Sequence, residues 1–84
     1  MQAQDILPDH ANEVHIGGTT IRKGTVGAFL HNAAVLRQAE LGDAQRQQAL
    51  NDILSSLPAL KALGLFDALQ IRDPQLRDFV ESRL

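Results

Sequence analysis

His31, Asn32 and Asp67 are the residues of this 84-residue chain whose types offer chemistry together. A neutral imidazole accepts a proton or binds a ligand near physiological pH, and a carboxylate hydrogen-bonded to one ring nitrogen sets the tautomer presented by the other. If the Gly64–Leu69 stretch folds back across the helix carrying His31, Asp67 becomes that carboxylate and Asn32 an adjoining polar contact. Such a group would bind a small ligand or serve an enzyme. It lacks a nucleophile, since no Gly-x-Ser-x-Gly elbow or related motif is present, and no catalytic residue is assigned. The competing reading of His31 is a helix-flank histidine hydrogen-bonded to another element, and Asn32 shares it.

Metal ligation draws on His10, His15 and His31 with Asp9 and Glu13. Their spacing has neither the i, i+4 pairing nor the short-loop clustering that preorganises a site, so no metal or other cofactor is expected. Gly17-Gly18 and Gly24 with Gly27 suggest a phosphate cradle only superficially. Neither a Lys-Ser/Thr ending nor a complete Gly-x-Gly-x-x-Gly follows, and turn chemistry accounts for these glycines.

Composition narrows the classes further. Ten acidic and eight basic residues give a net charge of −2, and the cations are scattered from Arg22 to Arg83 without a basic stripe. Nucleic acid and anionic membranes are therefore poor partners. No run approaches the roughly 20 apolar residues that span a bilayer. The start, Met-Gln-Ala-Gln-Asp, has no positively charged leader, so a soluble, cytoplasmic protein is the expectation. Hydrophobic residues make up 44% of the chain, mostly Leu and Ala with three Phe and no Cys. A chain this short has a marginal core, and without disulfides or metal it relies on packing or association.

The elements follow in order. Residues 1–12 read as a flexible arm, with only Ile6 or Leu7 available to dock before Pro8. Residues 13–84 read as one compact domain. Val14 and Ile16 alternate with Glu13 and His15, Gly17-Gly18 interrupts, and Thr19–Arg22 resumes a β composition, which predicts a two-residue hairpin. The hairpin must lie on helices through Val14, Ile16 and Ile21, or pair with another subunit's hairpin. Thr25 is the expected N-cap of a helix reaching Leu41, with Gly42 as its stop and Asp43 capping the next. In that second helix Ala49, Leu50, Ile53, Leu54 and Leu57 share a face. Pro58 is expected to end or bend it and to begin a short helix to Leu63, stopped by Gly64. Asp73-Pro74 starts the last helix, with Leu76, Phe79 and Val80 inward. The expected fold is α+β, mainly α: an N-terminal β-hairpin packed on three to four helices.

The helix from Thr25 organises the rest. Val26, Phe29, Leu30, Ala33, Leu36 and Leu41 form its broad apolar stripe at 100° per residue, and Ala28, Val35 and Ala39 form a narrower one opposite. A helix apolar on two sides is covered on two sides. The second covering points to a homodimer, or to a protein partner, at Ala28, Val35 and Ala39. Protein association is accordingly the expected role, with the His31, Asn32 and Asp67 site as the alternative.

Gly18-Thr19-Thr20-Ile21-Arg22-Lys23-Gly24-Thr25-Val26, then Leu30-His31-Asn32, then Gly64-Leu65-Phe66-Asp67, resembles a family of small bacterial proteins of unknown function, over roughly residues 14–69. Their order and spacing carry the resemblance. It implies a bacterial origin and one compact module, and it implies no activity.

Overall fold

The computed structural model describes residues 1–84. The elements are α1 (Ala3–Ile6), β1 (Glu13–Ile16), β2 (Thr19–Arg22), α2 (Thr25–Leu36), α3 (Asp43–Leu63), α4 (Leu65–Ala68) and α5 (Pro74–Glu81). The fold is α+β and mainly α. A two-stranded antiparallel hairpin stands at the N-terminal side of a helical layer built by α2, α3 and α5, with α1 and α4 as single turns.

The hairpin forms where alternation and glycine predict it. Gly17 and Gly18 both take positive φ, 54° and 81°, as a type I′ turn requires at its two central positions. The register pairs Val14 with Ile21 and Ile16 with Thr19, which puts the apolar side chains on one face. Ile21 is buried, while His15 and Thr20 pair on the opposite, exposed face.

Helix α2 starts one residue differently from the expectation. Gly24, at φ 89°, is the N-cap and Thr25 the first helical residue. The Thr25 hydroxyl donates back to the Arg22 carbonyl at 2.7 Å, tying helix to strand instead of capping an amide. The helix also ends early, at Leu36. Arg37 N donates to Ala34 O and Gln38 N to Val35 O, both at 3.1 Å, and this tightening into i→i−3 bonds closes the last turn. The chain then reverses through residues 37–42. Gly42 is the N-cap of α3, and Asp43 is its first residue; Gln45 Oε1 accepts from Gly42 N at 3.3 Å.

Pro58 does not end the second long helix. α3 runs unbroken for 21 residues with Pro58 inside it. Ile53, Leu57 and Leu60, at i, i+4 and i+7, are all buried, on either side of the proline in sequence, and Pro58 itself is exposed. Breaking the helix there would split that stripe. Burial of each such side chain contributes about 1.5–3 kcal/mol, which outweighs the ~3 kcal/mol that an interior proline costs.

The core is Phe29 from α2, Ile53, Leu57 and Leu60 from α3, and Leu76 and Val80 from α5. Leu63, late in α3, borders the same cleft as Gly24 and Val26 at the start of α2, so the two helices run antiparallel. Gly64 stops α3 in the left-handed conformation at φ 81°. Leu65 and Phe66 then fold back onto the core. Asp73 caps α5, its Oδ1 accepting from Gln75 N at 2.9 Å and Leu76 N at 3.3 Å.

The arm is attached to the domain by its backbone. Lys23 N donates to Asn12 O at 2.7 Å, and Lys23 Nζ donates to Asp9 O at 2.8 Å and Pro8 O at 3.4 Å. Leu7 is half-buried and Ile6 is exposed.

Candidate functional site

Position on α2 decides what each of its residues can do. Phe29 faces the core, and at 100° per residue His31 lies about 160° round the helix from it. His31 is accordingly exposed. Asn32 falls on one flank, in a cleft shared with Thr25 and with Asp52, Ser55 and Ser56 of α3. Asp67 belongs to α4 and borders a different cleft, beside Glu81 and Leu84 at the end of α5. The structure thus sets Asn32 and Asp67 in separate clefts and His31 on the exposed side of α2, because α4 packs on α3 and reaches α2 through Phe66 against Phe29. No site is assembled from the three.

The other histidines are likewise dispersed. His15 Nδ1 lies 2.9 Å from Thr20 Oγ1 across the hairpin, and His10 is in the loop that joins arm to strand. No three His, Asp or Glu side chains converge on a point that holds a metal ion. None of the helices is long and apolar enough to cross a membrane.

The strip of Ala28, Val35 and Ala39 is discontinuous. Ala39 lies in the turn beyond the end of α2, Val35 is half-buried, and Ala28 and Ala39 are exposed. Two small methyl groups on separate elements make little apolar contact area. The uncovered apolar surface is on the adjoining side of the helix instead. Leu30 is 61% exposed, Val26 is 37% exposed, and Leu69, just past α4, is 63% exposed. Val26 and Leu30 are residues that the α2 wheel assigns to the core stripe, and that stripe is wider than the core can cover.

Val26, Leu30 and Leu69 surround a cleft of about 330 Å³ between α2 and the α4–α5 segment. Phe29 and Phe66 meet at its base, and Ile71 and Leu76 continue the apolar lining. Gly64 builds it: the left-handed stop turns the chain so that Leu65–Leu69 crosses beside α2 rather than extending α3. Arg37 and Arg72 also line the cleft and are exposed. Neither is in a salt bridge; the molecule's one ion pair is Arg22 with Glu13 on the hairpin, at 3.8 Å. The other charged lining residue, Asp73, already accepts two amides at the start of α5. The cleft is therefore apolar inside, with two cations free at its edge. It holds no acid–base pair, nucleophile or ligand set for a metal, and it suits a contact that buries hydrocarbon.

The signal for this site was partly present in the sequence, as the Leu-Phe-x-x-Leu run after Gly64 and the breadth of the α2 stripe. The placement of one against the other was not. Compared with protein-family models, curated proteins and solved structures, the chain matches none.

Proposed function

We propose that this protein is a small association module that forms a homodimer through the α2 and α4–α5 groove. The observation that carries this reading is the surface left open by the single chain. A compact monomer of 9.2 kDa exposes about 4,900 Å² by the usual scaling, whereas this chain exposes 6080 Å². The surplus of roughly 1,200 Å² exceeds the ~800 Å² that each partner contributes to an interface of standard size. Only eight residues are buried, and the radius of gyration of 13.8 Å stands above the roughly 11.8 Å of a compact domain this long.

Leu30, Leu69 and Val26 are where that surplus is apolar and contiguous. A second copy presents the same leucines beside the same cleft, which is the self-complementarity a two-fold interface requires. The role is that of a binding or scaffolding unit. Sedimentation equilibrium from sub-micromolar to high-micromolar concentration tests it: a concentration-dependent dimer is the expected result, and a monomer throughout overturns it.

A further inference from the structure

We propose that the occupant of the groove is the N-terminal arm, Met1–Pro8, of the second copy, exchanged reciprocally between the two protomers. The inference rests on the groove being an interface between copies and goes on to name the segment that fills it.

Charge is the first argument. Arg37 and Arg72 line the groove without ion-pair partners. The arm and the residues joining it to β1 carry Asp5 and Asp9, and no Lys or Arg precedes Arg22. The segment brings no Lys or Arg side chain, the Met1 ammonium being its one cationic group, so Asp5 and Asp9 are the side-chain charges it presents to the two guanidiniums.

Shape and exposure are the second. Ala3 and Ile6 stand at i and i+3 on the single turn of α1, and Leu7 follows it in an extended conformation, so the arm offers a short row of apolar side chains of the kind that inserts into an apolar groove. On its own domain α1 has no buried residue, and Ile6 is 46% exposed. Its attachment there is through Lys23 and the backbone around Pro8 and Asp9, with only Leu7 half-buried. Little apolar contact is lost when it leaves.

Continuity is the third. Val26 borders both the shallow cleft against which Ala3, Ile6 and Leu7 rest and the groove itself. The arm thus starts beside the groove it is to fill. Rotation about residues 8–12 transfers it to a neighbour, as in other exchanges of a terminal element at low energetic cost.

The test uses full-length chains with exposed positions changed. Asp5→Lys with Asp9→Lys reverses the arm; Arg37→Glu with Arg72→Glu reverses the groove. Each double variant alone is expected to dimerise at least about tenfold more weakly than wild type, since like charges then oppose at both contacts. A 1:1 mixture of the two is expected to recover the wild-type affinity as a heterodimer, because both arm–groove contacts in it are complementary. Circular dichroism confirms that each variant is folded, and Ile6→Ser, which leaves charge untouched, is expected to weaken the dimer as well. If Leu30→Glu abolishes dimerisation while the arm reversal and Ile6→Ser leave it unchanged, the arm is overturned and the groove interface stands. Failure of the mixture to recover also overturns the exchange. A wild-type monomer overturns both.

Discussion

The ring of Phe29 meets that of Phe66 edge-on, with centroids 5.9 Å apart and planes inclined at 71°. This contact joins α2 to α4 and forms the base of the apolar groove. Phe29 is almost fully buried and Phe66 half-buried, so the pair separates the interior from the surface proposed to bind a second copy. Phe29→Ala is expected to destabilise the domain by about 3–5 kcal/mol, the range for truncating a buried phenylalanine. In a domain this small, that removes much of the total stability. Urea denaturation followed by circular dichroism measures it, and a loss below about 1 kcal/mol would show that the core does not close on Phe29.

Leu30 is the reciprocal case. Its side chain is mostly exposed, so Leu30→Glu leaves the core intact and is expected to change the melting temperature of the isolated chain little. At the interface the same carboxylate would be desolvated against Leu69 and Val26, a burial that costs several kcal/mol when unpaired. The expected outcome in light scattering is a folded monomer at concentrations where the wild type is dimeric. A dimer of unchanged affinity would move the interface elsewhere.

Gly64 tests the turn that builds the groove. A Cβ added there meets nothing closer than Asp67 Oδ2 at 3.8 Å, so space does not forbid alanine. The φ of 81° does, at a cost of about 1–2 kcal/mol for an L-residue. Gly64→Ala should therefore lower stability by that amount, and Gly64→Asn by less, since asparagine tolerates the left-handed region. Equal losses for the two would argue against a backbone origin.

Pro58 offers a change in the other direction. It is exposed within an unbroken helix, so Pro58→Ala restores an amide to the ladder without opening a cavity. Part of the ~3 kcal/mol interior penalty is returned by the stiffer unfolded chain that proline provides. A net gain of about 1–2 kcal/mol is expected in thermal or urea unfolding. A loss of stability would mean that the proline shapes a bend the core requires.

The start of α5 gives a smaller, well-defined effect. Asp73 accepts from the amides of Gln75 and Leu76, and Asp73→Ala is expected to cost about 1 kcal/mol, as for other helix caps. Asp73→Ser should recover most of it, because a hydroxyl oxygen accepts in the same place. Both values are read from chemical denaturation midpoints at constant slope.

The local signals in this chain were legible because each is decided within a few residues. Gly17-Gly18 can adopt the two positive φ angles of the hairpin turn, alternation places Val14, Ile16 and Ile21 on one side, Gly64 stops a helix, and Asp73-Pro74 starts one. Where the sequence misled, a distant neighbour had outvoted the local rule. Pro58 continues a helix because Ile53, Leu57 and Leu60 need one continuous face against Phe29, Leu76 and Val80. α2 stops at Leu36 so that the chain can reverse and lay α3 alongside it, which leaves Ala39 off the helix. Helical periodicity groups Val26 and Leu30 with Phe29, but it cannot say how much of that stripe the other helices reach. That depends on where α4 settles, and α4 is positioned by the fold-back of Leu65 and Phe66 onto a core that does not exist until the helices have packed. The same holds for His31, Asn32 and Asp67: their types came from the sequence, and their placement in different parts of the surface came from the packing of α4 on α3.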